Sequence, residues 1–310
     1  MKEEKIIVGQ GGPYPLNGVL TLPDDTETLA PAAVLVHGSG STDMDEKIMA
    51  NRPFRDLAES LAARGVAVIR YDKRSFKYGR ALVKDTGFTV FDETIEDALL
   101  ASALLRKDPR IDPDQIFIIG HSMGGMLAPR IDAEGGGFAG LVIMAGTPRK
   151  LEEVLTEQFD SIIDSGKGLN RAIVKMINKR FQRKLAGLYE MSDDEAKKIK
   201  VMGGARAYYF KEMGLHDSPS YLAKTKKPIL VLQGGKDFQV SVSDFEKYKE
   251  LLDGRDNTSF RLYPNLNHLF MPSVYGELKM MNKEYKIPSH VDKCVAEDIA
   301  AWIKTGALAV

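Results

Sequence analysis

Three side chains in this sequence have the types and order needed for acyl transfer. Gly120-His121-Ser122-Met123-Gly124 reads G-x-S-x-G, and its serine is the candidate nucleophile. A serine hydroxyl attacks a carbonyl only when a neutral imidazole takes its proton and a carboxylate orients that imidazole. Asp237, in Gly234-Gly235-Lys236-Asp237, is the candidate carboxylate, and His268, in Asn265-Leu266-Asn267-His268, the candidate base. The oxyanion that then develops requires two fixed donors. Turn geometry makes the Met123 N–H one of them. The other is expected from His37-Gly38-Ser39-Gly40, with the Ser39 N–H preferred and Gly40 second.

Rival groups sort by position. His37 is expected to brace the loop after its strand through backbone hydrogen bonds. His121 adjoins the serine on a tight turn and points away, and it is retained with Gly40 as a candidate substrate contact. His216 lies in a helical insertion and His290 begins the last helix, which leaves His268 just after the last strand. Asp244 and Glu246 compete with Asp237 but belong to the following helix.

These groups need elements to hold them. The apolar run Gln115-Ile116-Phe117-Ile118-Ile119 leads into the serine, and Gly125-Met126-Leu127-Ala128 can open a helix. A strand, a very sharp turn and a helix in succession lift the serine oxygen clear of a sheet. Further buried strands are read at 31–36, 66–71, 141–145, 228–232 and 258–263, with an antiparallel pair at 6–8 and 17–22. Helices are expected over 51–64, capped by Asn51, and near 92–107, to about 133, 241–252 and 290–304. This alternation implies an α/β fold with a mostly parallel sheet and right-handed crossovers. Ligands then bind at the carboxyl ends of the strands, where the three glycine-containing segments fall. Residues 148–224 interrupt the rhythm with amphipathic helical patterns and no strand, as a cap inserted between sheet strands would. The expected organisation is a core of residues 1–147 and 225–310 with a helical cap at 148–224.

Composition narrows the classes. The 43 basic and 43 acidic residues balance, so no net field favours nucleic acid or an anionic membrane. The single cysteine, Cys294, excludes an internal disulfide framework and fits a reducing compartment; a cytoplasmic protein is expected. No run of 18 apolar residues exists to span a membrane. The sequence holds no H-E-x-x-H and no P-loop, and Gly135-Gly136-Gly137 follows no strand, so neither a metal nor a nucleotide cofactor is expected. Asp43, Asp45 and Glu46 read as a solvated acidic loop. Lys175, Lys179, Arg180, Arg183 and Lys184 read as the outer face of a cap helix. Tyr208, Tyr209 and Phe210 either line the acyl pocket or fill the cap's own core, and Cys294 reads as an inert thiol.

His37-Gly38-Ser39-Gly40, Arg70-Tyr71-Asp72-Lys73-Arg74, Gly120 to Gly125 and Asn267-His268 together resemble the α/β-hydrolase superfamily over all but the cap. The resemblance is to a bacterial serine esterase branch related to dienelactone hydrolases, cinnamoyl or feruloyl esterases and prolyl-oligopeptidase-type catalytic domains. Relatives often place a glycine where Ser75 and Phe76 follow Arg74. The resemblance implies an eight-stranded, mostly parallel sheet, the chain order Ser–Asp–His, an acyl-serine intermediate and no cofactor. A carboxylesterase acting on small-molecule esters is expected, with a homodimer left open. The alternatives are an acyl-peptidase or thioesterase with the same triad, or a non-catalytic ligand-binding protein.

Overall fold

The computed structural model describes residues 1–24 and 28–308. Its strands are β1 (Lys2–Val8), β2 (Leu16–Leu22), β3 (Ala30–Val36), β4 (Ala67–Tyr71), β5 (Ile111–His121), β6 (Leu141–Met144), β7 (Ile229–Gly234) and β8 (Thr258–Tyr263). They form one eight-stranded sheet in the order β1-β2-β4-β3-β5-β6-β7-β8. β1 and β2 pair antiparallel, as do β2 and β4, whereas all pairs from β4 through β3 to β8 are parallel.

The central strands are uninterrupted apolar runs because both faces of the sheet are covered. Alternate side chains feed two cores. Val34, Ile69 and Ile118 pack with α3 (Glu96–Lys107) and α4 (Met123–Ile131), whereas Leu35, Val68 and Ile119 pack with α1 (Pro53–Ala62) and α12 (Lys293–Thr305). The other helices outside the insertion are α2 (Arg74–Leu82), α10 (Val242–Leu251) and α11 (Met281–Glu284), of which α2 and α11 were not anticipated.

Several boundaries differ from expectation. Asn51 does not cap α1; Arg52 occupies that position without a side-chain bond. Asn51 instead donates to the Tyr285 carbonyl at 3.0 Å and accepts from the Ser289 N–H at 2.9 Å, so a tertiary bridge outcompetes the local cap. A single π turn, Phe91–Ile95, precedes α3. The last helix begins at Lys293 under an Asp292 cap, three residues beyond His290.

Between β6 and β7 stand five helices: α5 (Leu151–Ser165), α6 (Gly168–Leu185), α7 (Asp193–Lys198), α8 (Ala207–Leu215) and α9 (Ser218–Leu222). They have no separate core. Phe181, Tyr209, Phe210 and Met213 join the buried cluster that contains Met123, Met126 and Leu127 of α4. The insertion therefore packs on the helix that leaves the serine turn.

Candidate active site

Ser122 sits between β5 and α4 with φ 53° and ψ −116°. A non-glycine residue there carries strain of about 1–3 kcal/mol, which the surroundings must offset. Its N–H donates to the Met144 carbonyl at 2.8 Å and its own carbonyl accepts from Met126 at 3.1 Å. The turn can be this tight only because of its glycines. A Cβ on Gly120 would lie 2.2 Å from the Gly124 oxygen, and one on Gly124 would lie 2.1 Å from the Val36 oxygen. Among the described residues the Ser122 hydroxyl makes no hydrogen bond, and so it is free for a substrate or a base.

Asp237 and His268 come together across the ends of β7 and β8. The Nδ1–H of His268 donates to Asp237 Oδ2 at 2.7 Å, with 4% and 0% of their side chains exposed. Asp237 is itself oriented. Its Oδ1 accepts the N–H groups of Gln239 and Val240 at 2.8 and 2.9 Å, and Gln233 donates to Oδ2 at 3.0 Å. The histidine loop is fastened by Asn267. Its side-chain oxygen accepts the N–H groups of Leu269 and Met271, and its amide donates to Glu284 at 3.1 Å. Glu284 also receives Val274 and Tyr275 N–H; burial pushes its carboxyl up, but these donors outweigh burial and leave it below the ordinary range.

The loop after β3 passes directly over Ser122: a Cβ on Gly38 would lie 3.1 Å from the Ser122 Cβ. Gly38 is held at both ends. Its N–H donates to Glu46 Oε1 at 2.7 Å and its carbonyl accepts from Lys73 Nζ at 2.8 Å. The next N–H, that of Ser39, is unbonded among the described residues. The Met123 N–H opens α4, where a helix leaves its first donors without intrahelical acceptors and favours an anion. Gly40, with φ 90°, lets the chain turn away after Ser39.

The Arg70–Arg74 segment grips this same loop. Arg70 pairs with Asp45 at 3.0 Å, Asp72 accepts the Met44 N–H at 3.0 Å, and Lys73 holds Gly38. Arg74 instead forms a buried ion pair with Asp97 of α3; burial dominates there and raises the Asp97 carboxyl to about 7.

Other expected roles change. His121 is 4% exposed and does not face a substrate: its Nε2 lies 2.8 Å from the His268 carbonyl, and Nδ1 lies 2.8 Å from Glu46 Oε2. The 43–46 loop is not solvated acid, because Asp45 is paired with Arg70 and Glu46 is buried with φ 50°. Of the three aromatics at 208–210, Phe210 packs edge-on to Phe181 at 5.7 Å within the insertion. The Tyr209 hydroxyl donates to Glu93 at 2.6 Å and lies 3.8 Å from the Met123 sulfur. Tyr208 stays half-exposed under Lys197. His37 bonds the Asp43 carbonyl at 3.0 Å and packs at a tilt against Phe54, and burial pushes it down to about 4.

The rival groups are occupied elsewhere. Both oxygens of Asp244 pair with Arg149, at 2.6 and 2.7 Å, and Glu246 meets Lys249 at the surface. His216 bonds Tyr221, and His290 pairs with Asp56. A cleft of about 490 Å³ between α5 and α6 is lined by groups such as Glu152, Glu157 and Phe181 and includes none of the site residues. Among the described residues no cluster of His, Cys, Asp and Glu has a metal-holding arrangement. Glu46, read from sequence as solvated acid, and Lys73, named in its motif without a role, both belong beside the candidate site. Glu93 was missed, and nothing in the sequence singles it out.

Comparison with known proteins agrees with this architecture. Residues 33–277 match the Alpha/beta hydrolase family. The chain is 38% identical over 301 residues to Esterase EstD of Thermotoga maritima, which spans 97% of this chain and 67% of that protein. Among solved structures, Est1E from Butyrivibrio proteoclasticus superposes with a TM-score of 0.56 at 16% identity, covering 91% of this chain and 96% of that one. A dienelactone hydrolase from Anabaena variabilis gives a TM-score of 0.54 at 18% identity with 99% of each chain covered. At such identities the structural matches speak for the fold alone. The family match and the EstD relationship establish that this chain belongs to the α/β-hydrolase family.

Proposed function

We propose that the chain is a serine carboxylesterase. The observation that carries this reading is the strained Ser122 turn, tied through the neighbouring His121 to a buried, oriented Asp237–His268 pair. Similarity to a protein named an esterase supports it. In the proposed reaction His268 Nε2 takes the Ser122 proton as Oγ attacks the ester carbonyl. Asp237 holds the Nδ1–H tautomer and stabilises the imidazolium. The N–H groups of Ser39 and Met123 meet the oxyanion. His268 then gives its proton to the leaving alcohol, and water attacks the acyl-serine through the same base.

Residues 148–224 act in this reading as a cap that limits water and selects small or aromatic acyl groups. No cofactor enters the chemistry. No helix among the described residues is long and apolar enough to cross a membrane. Cys294 stays a structural thiol, since burial and the Asp292 carboxylate raise it to about 12, and a free thiol suits the cytoplasm. The test is a fluorophosphonate probe with a panel of p-nitrophenyl esters. Labelling and turnover are expected from the parent protein and from neither Ser122→Ala nor His268→Ala. An unlabelled parent, or a labelled Ser122→Ala, would overturn the reading.

A further inference from the structure

Lys73 follows β4 with only 2% of its side chain exposed, and the acyl-transfer steps do not use it. Burying an ammonium is costly unless it is well paired. Its acidic partner, Glu93, stands at 3.5 Å, whereas the Gly38 carbonyl lies at 2.8 Å. Glu93 is also shared, because its second oxygen accepts the Tyr209 hydroxyl. Burial pushes the Glu93 carboxyl up, but the Lys73 charge and the hydrogen bonds outweigh it and leave it below the ordinary range. The cation therefore makes its shortest bond to a neutral main-chain oxygen.

That oxygen belongs to a particular peptide group. The Gly38 carbonyl and the Ser39 N–H are two ends of one planar, resonance-coupled amide. A cation bonded to the oxygen draws electron density along the amide and makes its N–H a stronger donor. Glu46 meanwhile holds the preceding N–H, that of Gly38, and so fixes the neighbouring peptide group.

We propose that Lys73 is a positioning residue of the oxyanion hole, whose ammonium polarises and orients the Gly38–Ser39 peptide so that the Ser39 N–H binds the tetrahedral oxyanion. The proposal rests on the esterase reading above and on Ser39 as a donor. It adds that a buried charge acts through a main-chain carbonyl. The Arg70–Arg74 motif thereby gains a chemical role beyond holding a loop. Through Glu93 and Tyr209 the same lysine is in contact with α8 of the insertion, so the cap and the oxyanion hole share one charged junction.

The experiment uses full-length Lys73→Met and Lys73→Gln, a soluble p-nitrophenyl ester, and two ketone inhibitors. A trifluoromethyl ketone adds to serine and forms an oxyanion, whereas its methyl ketone counterpart binds as a ground-state mimic. Removing a direct oxyanion donor costs about 10²–10³-fold in kcat, so an indirect one is expected to cost about 10–100-fold. KM should stay within about threefold, because ground-state binding does not use the hole. The trifluoromethyl ketone should weaken by the same factor as kcat and the methyl ketone should not. Lys73→Gln keeps a neutral donor and should fall between Lys73→Met and the parent.

Equal weakening of both ketones, or kcat within about twofold of the parent, overturns the proposal. Failure of both variants to fold, judged by melting and near-UV circular dichroism, overturns it too, since Lys73 would then be a folding residue. If the parent itself neither turns over esters nor labels at Ser122, the underlying esterase reading fails. A reactive parent with Lys73 variants unaffected removes this proposal alone.

Discussion

His121 stands one residue before Ser122, yet it bonds to the candidate base: its Nε2 lies 2.8 Å from the His268 carbonyl oxygen. Its other nitrogen is 2.8 Å from Glu46, though poorly aligned for a straight hydrogen bond, and Glu46 in turn holds Gly38. One buried chain thus joins the serine turn, the His268 loop and the loop after β3. Glu46→Gln keeps the shape but removes the charge. It is expected to lower kcat about tenfold with KM nearly unchanged, because about 1.4 kcal/mol of lost transition-state stabilisation is enough for that. Steady-state kinetics on one ester check it.

The same pair makes a prediction about pH and stability. Burial alone would depress His121, but Glu46 outweighs it and raises the folded value. Burial alone would raise Glu46, but His121 outweighs it and lowers the folded value. A raised imidazole stabilises the fold below its unfolded value of about 6.5 and loses that contribution as pH climbs through the folded value. A lowered carboxyl stabilises above its unfolded value of about 4.3 and fails as pH falls through its folded value. The pair therefore contributes most between these limits. Tm of the parent should decline from about pH 6.5 upward more steeply than Tm of Glu46→Gln, and parallel thermal scans decide it.

Asp237→Asn should fold but lose about 10⁴ in kcat, because an amide cannot hold the Nδ1–H tautomer. Its NH₂ would also face the Gln233 amide, which donates to the same oxygen. Asp244→Asn should do the reverse. It breaks a buried pair with Arg149 and should destabilise by about 3–5 kcal/mol with little change in kcat. Loss of activity in Asp244→Asn and not in Asp237→Asn would exchange the two roles.

The three aromatics of α8 should separate. Phe210→Ala removes a ring packed on Phe181 and should cost about 3–5 kcal/mol of stability without changing ester preference. Tyr209→Phe strips a donor from buried Glu93, worth about 1–3 kcal/mol. Tyr208→Ala alone should shift relative kcat/KM across an ester chain-length series, by about 1–3 kcal/mol per methylene discriminated. A flat series for Tyr208→Ala removes it from the acyl pocket.

Gly124→Ala tests the serine turn directly. The new methyl would meet the Val36 oxygen at 2.1 Å, and backbone on both sides cannot yield. Overpacking costs about 1–3 kcal/mol and occasionally more, and backbone contact belongs at the upper end. Urea denaturation with unchanged m and a lower midpoint is the expected result.

Local chemistry made the sheet and the serine turn legible in the sequence. Uninterrupted runs such as Ala32–Val36 and Ile229–Leu232, short and bounded by turn residues, read as strands buried on both faces, and glycines at 120 and 124 are what so tight a turn demands. The order Ser122, Asp237, His268 followed from where those strands end. Tertiary structure alone decided the pairings among charged groups. Glu46 reads as one acid in a polar loop until the fold buries it between Gly38 and His121, 75 residues downstream. Lys73 and Glu93, and Glu93 and Tyr209, meet across 20 and 116 residues, with the last contact crossing from core to insertion. Asn51 would be a helix cap by local rules, yet it bridges to Tyr285. Periodicity and turn chemistry act over a few residues, so they specify elements and their ends. Which buried polar group satisfies which other depends on what the packed chain brings within about 3 Å, and no short-range pattern carries that information.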